Sequence, residues 1–536
     1  MHDLPLIPAP RSVAVHPGTV DLRAARSLTV SAVEALVVAD QLREDLRLWA
    51  GVDLPEPTVA PSGAPGGVHL ALRAARSAGV VSSPFAGEHE VAVSAGGVQV
   101  AAAEPEGLYR GATSVVQLAG TGSGLLPHLV LQDGPAFGWR GLSLDVTRHF
   151  VPASEVRRVI DVLALYKFSV LHLHLTDNEG WRLEIRSRPA LTAGRLLEDG
   201  SRAYYTQEEF AELVAYARAR FVTVVPEIDL PGHASAVLQA YPELGARAVA
   251  APEGSPFPVA NLDGPDDLVW SFVDDVLTEV VALTPGPYLH VGGDEAFGMD
   301  PQAHAAFVTR WAQRVRDHGK TVVGWQEASR AQLPPGQVLQ HWIDFAGNIA
   351  DRQADAAAGG DGAGAAASAA AGLPPETVAM LAETFVQARG DLERIAAQGS
   401  LVLLSPNGHA YLDRPHAEPS ADPAQAELRG RLGLPYYPPT PLRAYVEWDP
   451  TAQAGPLDRS RIAGVEGAVW CETVTSVPDL EALLLPRLPG VAQAAWGEPG
   501  GTTWPEHRDR LASHAALWDR LAWHWYQDTS VPWRTR

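Results

Sequence analysis

Residues 154–177 read SEVRRVIDVLALYKFSVLHLHLTD. The first part, Ser154–Tyr166, has helical spacing, with Ser154 placed as the cap and Glu155 as a first-turn acid that suits the positive end of the helix dipole. The second part, Ser169–Leu175, is a short apolar run of strand length that leads to Asp177. A helix feeding a buried strand is the repeating unit of a parallel α/β sheet. The rhythm continues in both directions. Strands are expected at Gly141–Val146, Ser169–Leu175, Phe221–Ile228, Pro287–Val291, Thr321–Trp325, Gln337–Trp342, Ser400–Ser405 and Ile462–Trp470. Helices are expected at Gln207–Arg220, Asp266–Leu283 and Pro301–His318 among the segments between them. Eight such units predict an α/β fold with a (β/α)8 TIM barrel.

The pattern differs before residue 136. Ser27–Val33 and Glu90–Ala95 alternate like strands, and Ala35–Ala50 has helical spacing. Pro55–Gly67 reads as a loop, and Gly96-Gly97 between Val93 and Val98 as a hairpin turn. Residues 1–135 are therefore expected to form a smaller N-terminal α+β domain, and residues 136–536 the barrel. A chain of 536 residues suits that division. An Ala/Gly-rich insertion near 346–378 breaks the barrel rhythm; its composition suits a flexible loop or an Ala-rich helix. Leu511–Trp525 predicts a C-terminal helix packed on the barrel.

Lys and Arg number 41 against 63 Asp and Glu, so the formal net charge is −22. Such a surface repels nucleic acid and anionic membranes and favours neutral partners. No run of 18 apolar residues suggests a membrane span, and Met1–Pro10 lacks the layout of a signal peptide. With Cys471 as the only cysteine, no intrachain disulfide can form. The expected setting is cytoplasmic.

In a TIM barrel, chemistry sits at the C-terminal ends of the strands. There the chain places Asp145 and Arg148, then Asp177, then Glu227, Asp229 and His233, then Asp294 and Glu295. Trp325 and Trp342 follow, then Tyr411 and Asp413, then Trp470 and Glu472. The turn Gly292-Gly293-Asp294-Glu295 lets the backbone approach a ligand and sets two carboxylates side by side. Like charges in a partly dry pocket push one pKa up, which suits a general acid. Alone, the pair would equally suit a solvated helix start.

His172 and His174 stand two apart on one strand and share a face. They could serve a metal-dependent barrel hydrolase, or lie hydrogen-bonded inside the barrel. The second reading is favoured, because further histidines on later strands are not evident. No metal and no cofactor are expected.

Several blocks together resemble glycoside hydrolase family 20, the β-N-acetylhexosaminidases. They are Arg148-His149-Phe150, His172 to Asp177 running into Gly180-Trp181-Arg182, Pro226 to His233, and His290 to Glu295. Trp325-Gln326-Glu327, Tyr411-Leu412-Asp413, Trp470-Cys471-Glu472 and the opening Leu6 to Pro10 extend the resemblance over about residues 5–495. It implies an enzyme that removes terminal β-linked GlcNAc or GalNAc from a small oligosaccharide or glycoconjugate. Glu295 would be the acid/base, and Asp294 and Tyr411 would hold the 2-acetamido group, whose own oxygen attacks the anomeric carbon. Arg148, Asp413 and Glu472 would bind hydroxyls. Trp325, Trp342 and Trp470 would wall the pocket, and Asp177 and His233 would form a buried relay to Glu295. Asn178 and Glu179 depart from the usual family pattern, and Tyr436 or Tyr437 would stand in for a Trp that some members carry. A non-catalytic sugar-binding protein on the same scaffold is disfavoured, because Asp294, Glu295 and Tyr411 are all present.

Overall fold

The computed structural model describes residues 4–73, 86–245, 258–343, 384 and 386–534. The N-terminal sheet holds β1 (Ser12–Asp21), β2 (Leu28–Val30), β3 (Pro57–Val59), β4 (Gly67–Leu72), β5 (His89–Ser94), β6 (Gly97–Ala102) and β7 (Leu125–Asp133). They lie in the order β1-β7-β5-β6-β4-β2-β3, with helices Leu36–Ala50 and Pro105–Thr121 packed together. β5 and β6 form the expected hairpin, whose last pair is Ser94 with Gly97. The Pro55–Gly67 segment is not all loop, because Thr29 and Val30 of β2 pair with Thr58 and Val59 of β3. The strand expected over Ser27–Val33 is shorter, since Val33–Ala35 turns into a 3-10 segment.

The barrel is built from β8 (Trp139–Asp145), β9 (Val170–His174), β10 (Thr223–Glu227), β11 (Tyr288–His290), β12 (Thr321–Trp325), β13 (Val338–His341), β14 (Leu401–Leu404) and β15 (Ile462–Val469). Each pairs in parallel with its neighbour, and β15 closes on β8 from Gly464↔Trp139 to Val469↔Leu144. All eight predicted strands are present, with ends shifted by a residue or two. The interior is layered. Trp139, Val170, Val225, Val323, Val338 and Leu403 form an apolar floor. Two residues further along, where the pleat again points inward, stand His172, Glu227, Gln340 and Ser405. This second layer is held by polar contacts: Gln340 donates to Ser405 Oγ at 2.8 Å and to Glu466 at 3.0 Å.

Two helix expectations need correction. The helix after β8 is Ala153–Leu165, with Pro152 at the cap position and no side-chain cap bond. Pro152 O already accepts Glu155 N and Val156 N, so Ser154 lies inside the first turn, while Glu155 keeps its place there. The C-terminal segment forms two helices, Trp504–Leu511 and Ala515–Arg520. They part near His514, whose ring meets Tyr166 Oη at 2.9 Å and Pro5 O at 3.1 Å. The second helix touches the barrel through Trp518 and Tyr166 and the N-terminal unit through Arg520 and Leu48 O. The insertion 346–378 lies outside the described residues. Among the described residues no helix is long and apolar enough to cross a membrane.

Candidate active site

The strand ends deliver the predicted residues to one pocket. Its walls include Arg148, Asp177, His233, Asp294, Glu295, Trp325, Trp342, Tyr411, Trp470 and Glu472. Asp413 is not among the lining residues: its side chain is fully buried, and neither carboxyl oxygen has a hydrogen-bond partner among the described residues. His174, Asp229, Leu434, Tyr436 and Tyr437 also line the pocket. A separate surface cleft, where Leu36–Ala50 meets the barrel helices, is lined by acids and arginines that pair with one another, such as Arg220 and Asp161 at 2.8 Å.

The acid pair is placed by its glycines. Gly292 and Gly293 have φ of +69° and +93°, in the region that favours glycine. A Cβ on Gly292 would fall 1.7 Å from Asp229 Oδ1, the oxygen that accepts Gly293 N–H at 3.0 Å. Asp229 thus holds the turn from behind. Glu295 itself has φ +41° and His233 φ +48°, left-handed values that cost a non-glycine residue about 1–3 kcal/mol each. The helix-start alternative for the pair fails, because the next helix, Pro301–Asp317, is capped by Asp300.

A chain of charged contacts runs inward from the acids. His233 Nε2 lies 3.7 Å from Glu295 Oε2 and 3.8 Å from Asp294 Oδ2. Its Nδ1 meets Asp177 Oδ1 at 3.0 Å. Asp177 Oδ2 receives His174 Nε2 at 2.8 Å and Arg148 at 2.7 Å. Burial opposes charge on Asp177, but Arg148 and His233 outweigh it and hold the carboxyl well below its ordinary range. Burial likewise opposes a charged His233, and Asp177 and Asp229 outweigh it, so the ring stays cationic. Burial pushes Glu295 up, with His233 opposing. Burial pushes Asp294 well up, with the Asp229 charge adding to it.

The histidine pair has a third member. His290 on β11 stacks on His172 at 4.4 Å, and the ligand atoms of His172, Glu227 and His290 lie within 4.8 Å of one another. His290 lies inside the expected strand Pro287–Val291, but its meeting with the His172 ring comes from barrel closure and is not visible in the linear order. All three rings converge on Glu227: His172 Nε2 at 3.0 Å, His174 Nδ1 at 2.5 Å and His290 Nδ1 at 3.0 Å, joined by Trp325 Nε1 at 2.7 Å. Burial would lower the His172 pKa, but Glu227 and Glu466 raise it to about 9. Burial lowers the His290 pKa, with Glu227 opposing it, and His290 Nδ1 also accepts Gly292 N–H at 3.1 Å.

The aromatic walls pack against other residues of the pocket. Trp470 packs on Trp325 at 5.7 Å and edge-on to His174 at 5.1 Å, and Arg148 lies over its ring. The Trp342 and Tyr411 rings are almost parallel, 13° apart with centroids 6.5 Å apart. Buried acceptors without partners remain at Asp294 Oδ1 and Asp229 Oδ2. Unpaired buried polar atoms between aromatic walls are what an uncharged ligand rich in N–H and O–H groups would satisfy.

The family model described as "Glycosyl hydrolase family 20, catalytic domain" matches residues 137–361 and 368–499, and "Glycosyl hydrolase family 20, domain 2" matches residues 3–134. The chain belongs to glycosyl hydrolase family 20. It is 34% identical to a beta-N-acetylhexosaminidase of Cellulomonas fimi over 99% of this chain and 98% of that protein. The Streptomyces plicatus N-acetyl-beta-hexosaminidase, solved in complex with Thio-NAglucal, superimposes with a TM-score of 0.80 at 31% identity, covering 100% of this chain and 98% of that one. The GH20 beta-N-acetylhexosaminidase from Streptomyces coelicolor A3(2) also gives 0.80, at 30% identity over 100% and 99% of the two chains. This family-20 protein is a glycoside hydrolase. Asn178 and Glu179 have local uses. Asn178 Oδ1 accepts Ser235 N and Oγ, at the start of helix Ser235–Ala240, and Glu179 pairs with Arg148 Nε at 3.2 Å. Tyr436 and Tyr437 both reach the pocket wall, with Tyr436 46% exposed at its mouth.

Proposed function

We propose that this hydrolase removes terminal β-linked N-acetylhexosamine with retention of configuration, the substrate's own acetamido oxygen acting as nucleophile. The observation that carries the reading is the unpaired, buried Asp294 Oδ1 beside the Trp342–Tyr411 face, next to a second carboxyl, Glu295, kept up by burial. An amide N–H donated to Asp294 favours its ionised form, because a hydrogen bond to the charged state lowers a carboxyl's pKa. Glu295, whose pKa burial raises, keeps the proton that the glycosidic oxygen must receive. Asp294 aims the acetamido oxygen at the anomeric carbon and balances the positive charge that grows on the oxazolinium ring. The His233–Asp177 pair holds a cation beside Glu295 and supports it as a base when water enters. Arg148 and Glu472 supply the polar edge for ring hydroxyls, and Trp325 and Trp470 exclude water.

The test uses an aryl β-N-acetylglucosaminide and a thiazoline that mimics the bicyclic intermediate. Proton NMR of early product should show the β-anomer. The thiazoline should bind at least about 10²-fold tighter than N-acetylglucosamine, as expected of a transition-state mimic. In Asp294→Asn, kcat and thiazoline affinity should fall together. Inverted product, or a glycosyl ester trapped on a protein carboxylate, would overturn the mechanism.

A further inference from the structure

Tyr411 lies beyond the end of β14, in a loop rather than a strand. An isolated bridge ties this loop to β15: Leu412 N donates to Ala468 O at 2.7 Å, and Ala468 N donates to Ala410 O at 3.0 Å. The next two carbonyls are taken by side chains. Tyr445 Oη donates to Tyr411 O at 3.0 Å, and Arg487 NH1 donates to Leu412 O. Both donors are buried, at 0% and 1% exposed. Tyr445 ends the 3-10 turn Leu442–Tyr445, and Arg487 stands at the N-cap of helix Leu488–Trp496. Gly490 lets turn and helix pack closely, since a Cβ there would fall 2.8 Å from Tyr445 Cβ. Arg487 Nε and NH2 have no hydrogen-bond partner among the described residues, so the bonding of this guanidinium falls on Leu412 O. A charge-assisted bond is roughly twice as strong as a neutral one, and a dry site strengthens it further.

We propose that, given the acetamido role of Tyr411 in the proposed function, Tyr445 and Arg487 are positioning residues that aim the Tyr411 hydroxyl at the substrate's acetamido oxygen. Neither residue lines the pocket, so each acts through the backbone of Tyr411 and Leu412. Burial pushes the Tyr411 phenol well up, so it stays a donor. Without Tyr445 Oη or Arg487, a buried carbonyl is left unpaired, and the loop relaxes toward another partner. The acetamido oxygen then swings off its line to the anomeric carbon, and a displacement of about 1 Å can cost roughly 10²-fold in rate.

The test is Tyr445→Phe, which keeps the ring and loses only the hydroxyl. On an aryl β-N-acetylglucosaminide, kcat should fall about 10-fold or more with a smaller change in KM, and thiazoline affinity should fall with it. In a Tyr411→Phe background the same change should cost no more than about twofold, because the hydroxyl it aims is gone. Arg487→Met should repeat the loss, and Arg487→Lys, which keeps a cationic donor, should recover most of it. If Arg487→Met does not fold, the Tyr445→Phe cycle decides alone. A merely structural role would lower the unfolding midpoint and leave kcat per folded molecule unchanged. That result in Tyr445→Phe, or full additivity with Tyr411→Phe, would overturn the proposal. A Tyr411→Phe enzyme with unchanged kcat would instead sink the acetamido role of Tyr411 and the reading built on it. The pinning itself is then read without turnover, from the Tyr411 ring-carbon resonance in tyrosine-labelled protein, assigned with Tyr411→Phe. It should move in Tyr445→Phe; an unmoved resonance overturns the pinning.

Discussion

At the scale of single residues, the acid at Glu295 is the sharpest assignment to test. Glu295→Gln removes a proton donor and leaves the substrate's nucleophile in place. Glycosides with poor leaving groups should lose roughly 10²–10⁴-fold in kcat/KM, and activated aryl glycosides far less. Equal losses for both would argue against Glu295 as the acid. The pH dependence has a definite sign. Burial raises the Glu295 pKa, and the acid works only when protonated, so kcat/KM should fall as pH rises through that raised pKa. The alkaline limb should be absent in Glu295→Gln for activated substrates. The identity of these groups was legible in the sequence, since two carboxyls after paired glycines at a strand end are a local signal. Their proton affinities were not. Those depend on His233 and Asp177, which lie more than 60 residues earlier in the chain.

The element that most constrains the site is the turn after β11. Gly292→Ala would drive a Cβ into Asp229 Oδ1 and force an alanine to φ +69°. The turn must then shift, and Asp294 and Glu295 with it. The expected result is a destabilisation of about 1–3 kcal/mol and a fall in kcat exceeding any rise in KM. Thermal unfolding and steady-state kinetics check it; near-normal kcat would mean that Asp229 yields at no cost. The glycines were visible in the sequence as a turn signal, but not the partner that forbids a side chain. The same gap explains the misplaced helix cap. Ser154 has the chemistry of a cap, yet the first helical hydrogen bonds, from Glu155 N and Val156 N, already end on Pro152 O. The break at His514 was hidden for a similar reason, because Tyr166 and Pro5 O, both distant in sequence, take its ring.

At the scale of the whole molecule, the sheet unit and the barrel are joined through a buried ion pair. Lys167 Nζ donates to Asp133 Oδ2 at 2.9 Å, Trp496 Nε1 to Asp133 Oδ1 at 3.0 Å, and Lys167 lies 4.7 Å from the Trp496 ring centre. Asp133→Ala would leave Lys167 buried without its counter-charge, and breaking such a pair costs about 3–5 kcal/mol. Denaturant unfolding should show a lower midpoint, while kcat/KM per folded molecule stays near normal, since neither residue reaches the pocket. An unchanged midpoint would mean that Lys167 loses its proton or finds water.

The sequence by itself determined the eight barrel strands, the acid pair at a strand end and the wall tryptophans. Each of these is a local property: apolar periodicity fixes which face of an element is buried, and glycine fixes where the backbone can turn. Only the tertiary structure decided that His290 joins His172 and His174 on Glu227, that Asp413 is buried away from the pocket lining, and that Gln326 and Glu327 accept hydrogen bonds from Trp342. Closing β15 onto β8 brings side chains from every part of the barrel to one axis. Ring separations and proton affinities there are set by neighbours that the linear order keeps tens to hundreds of residues apart.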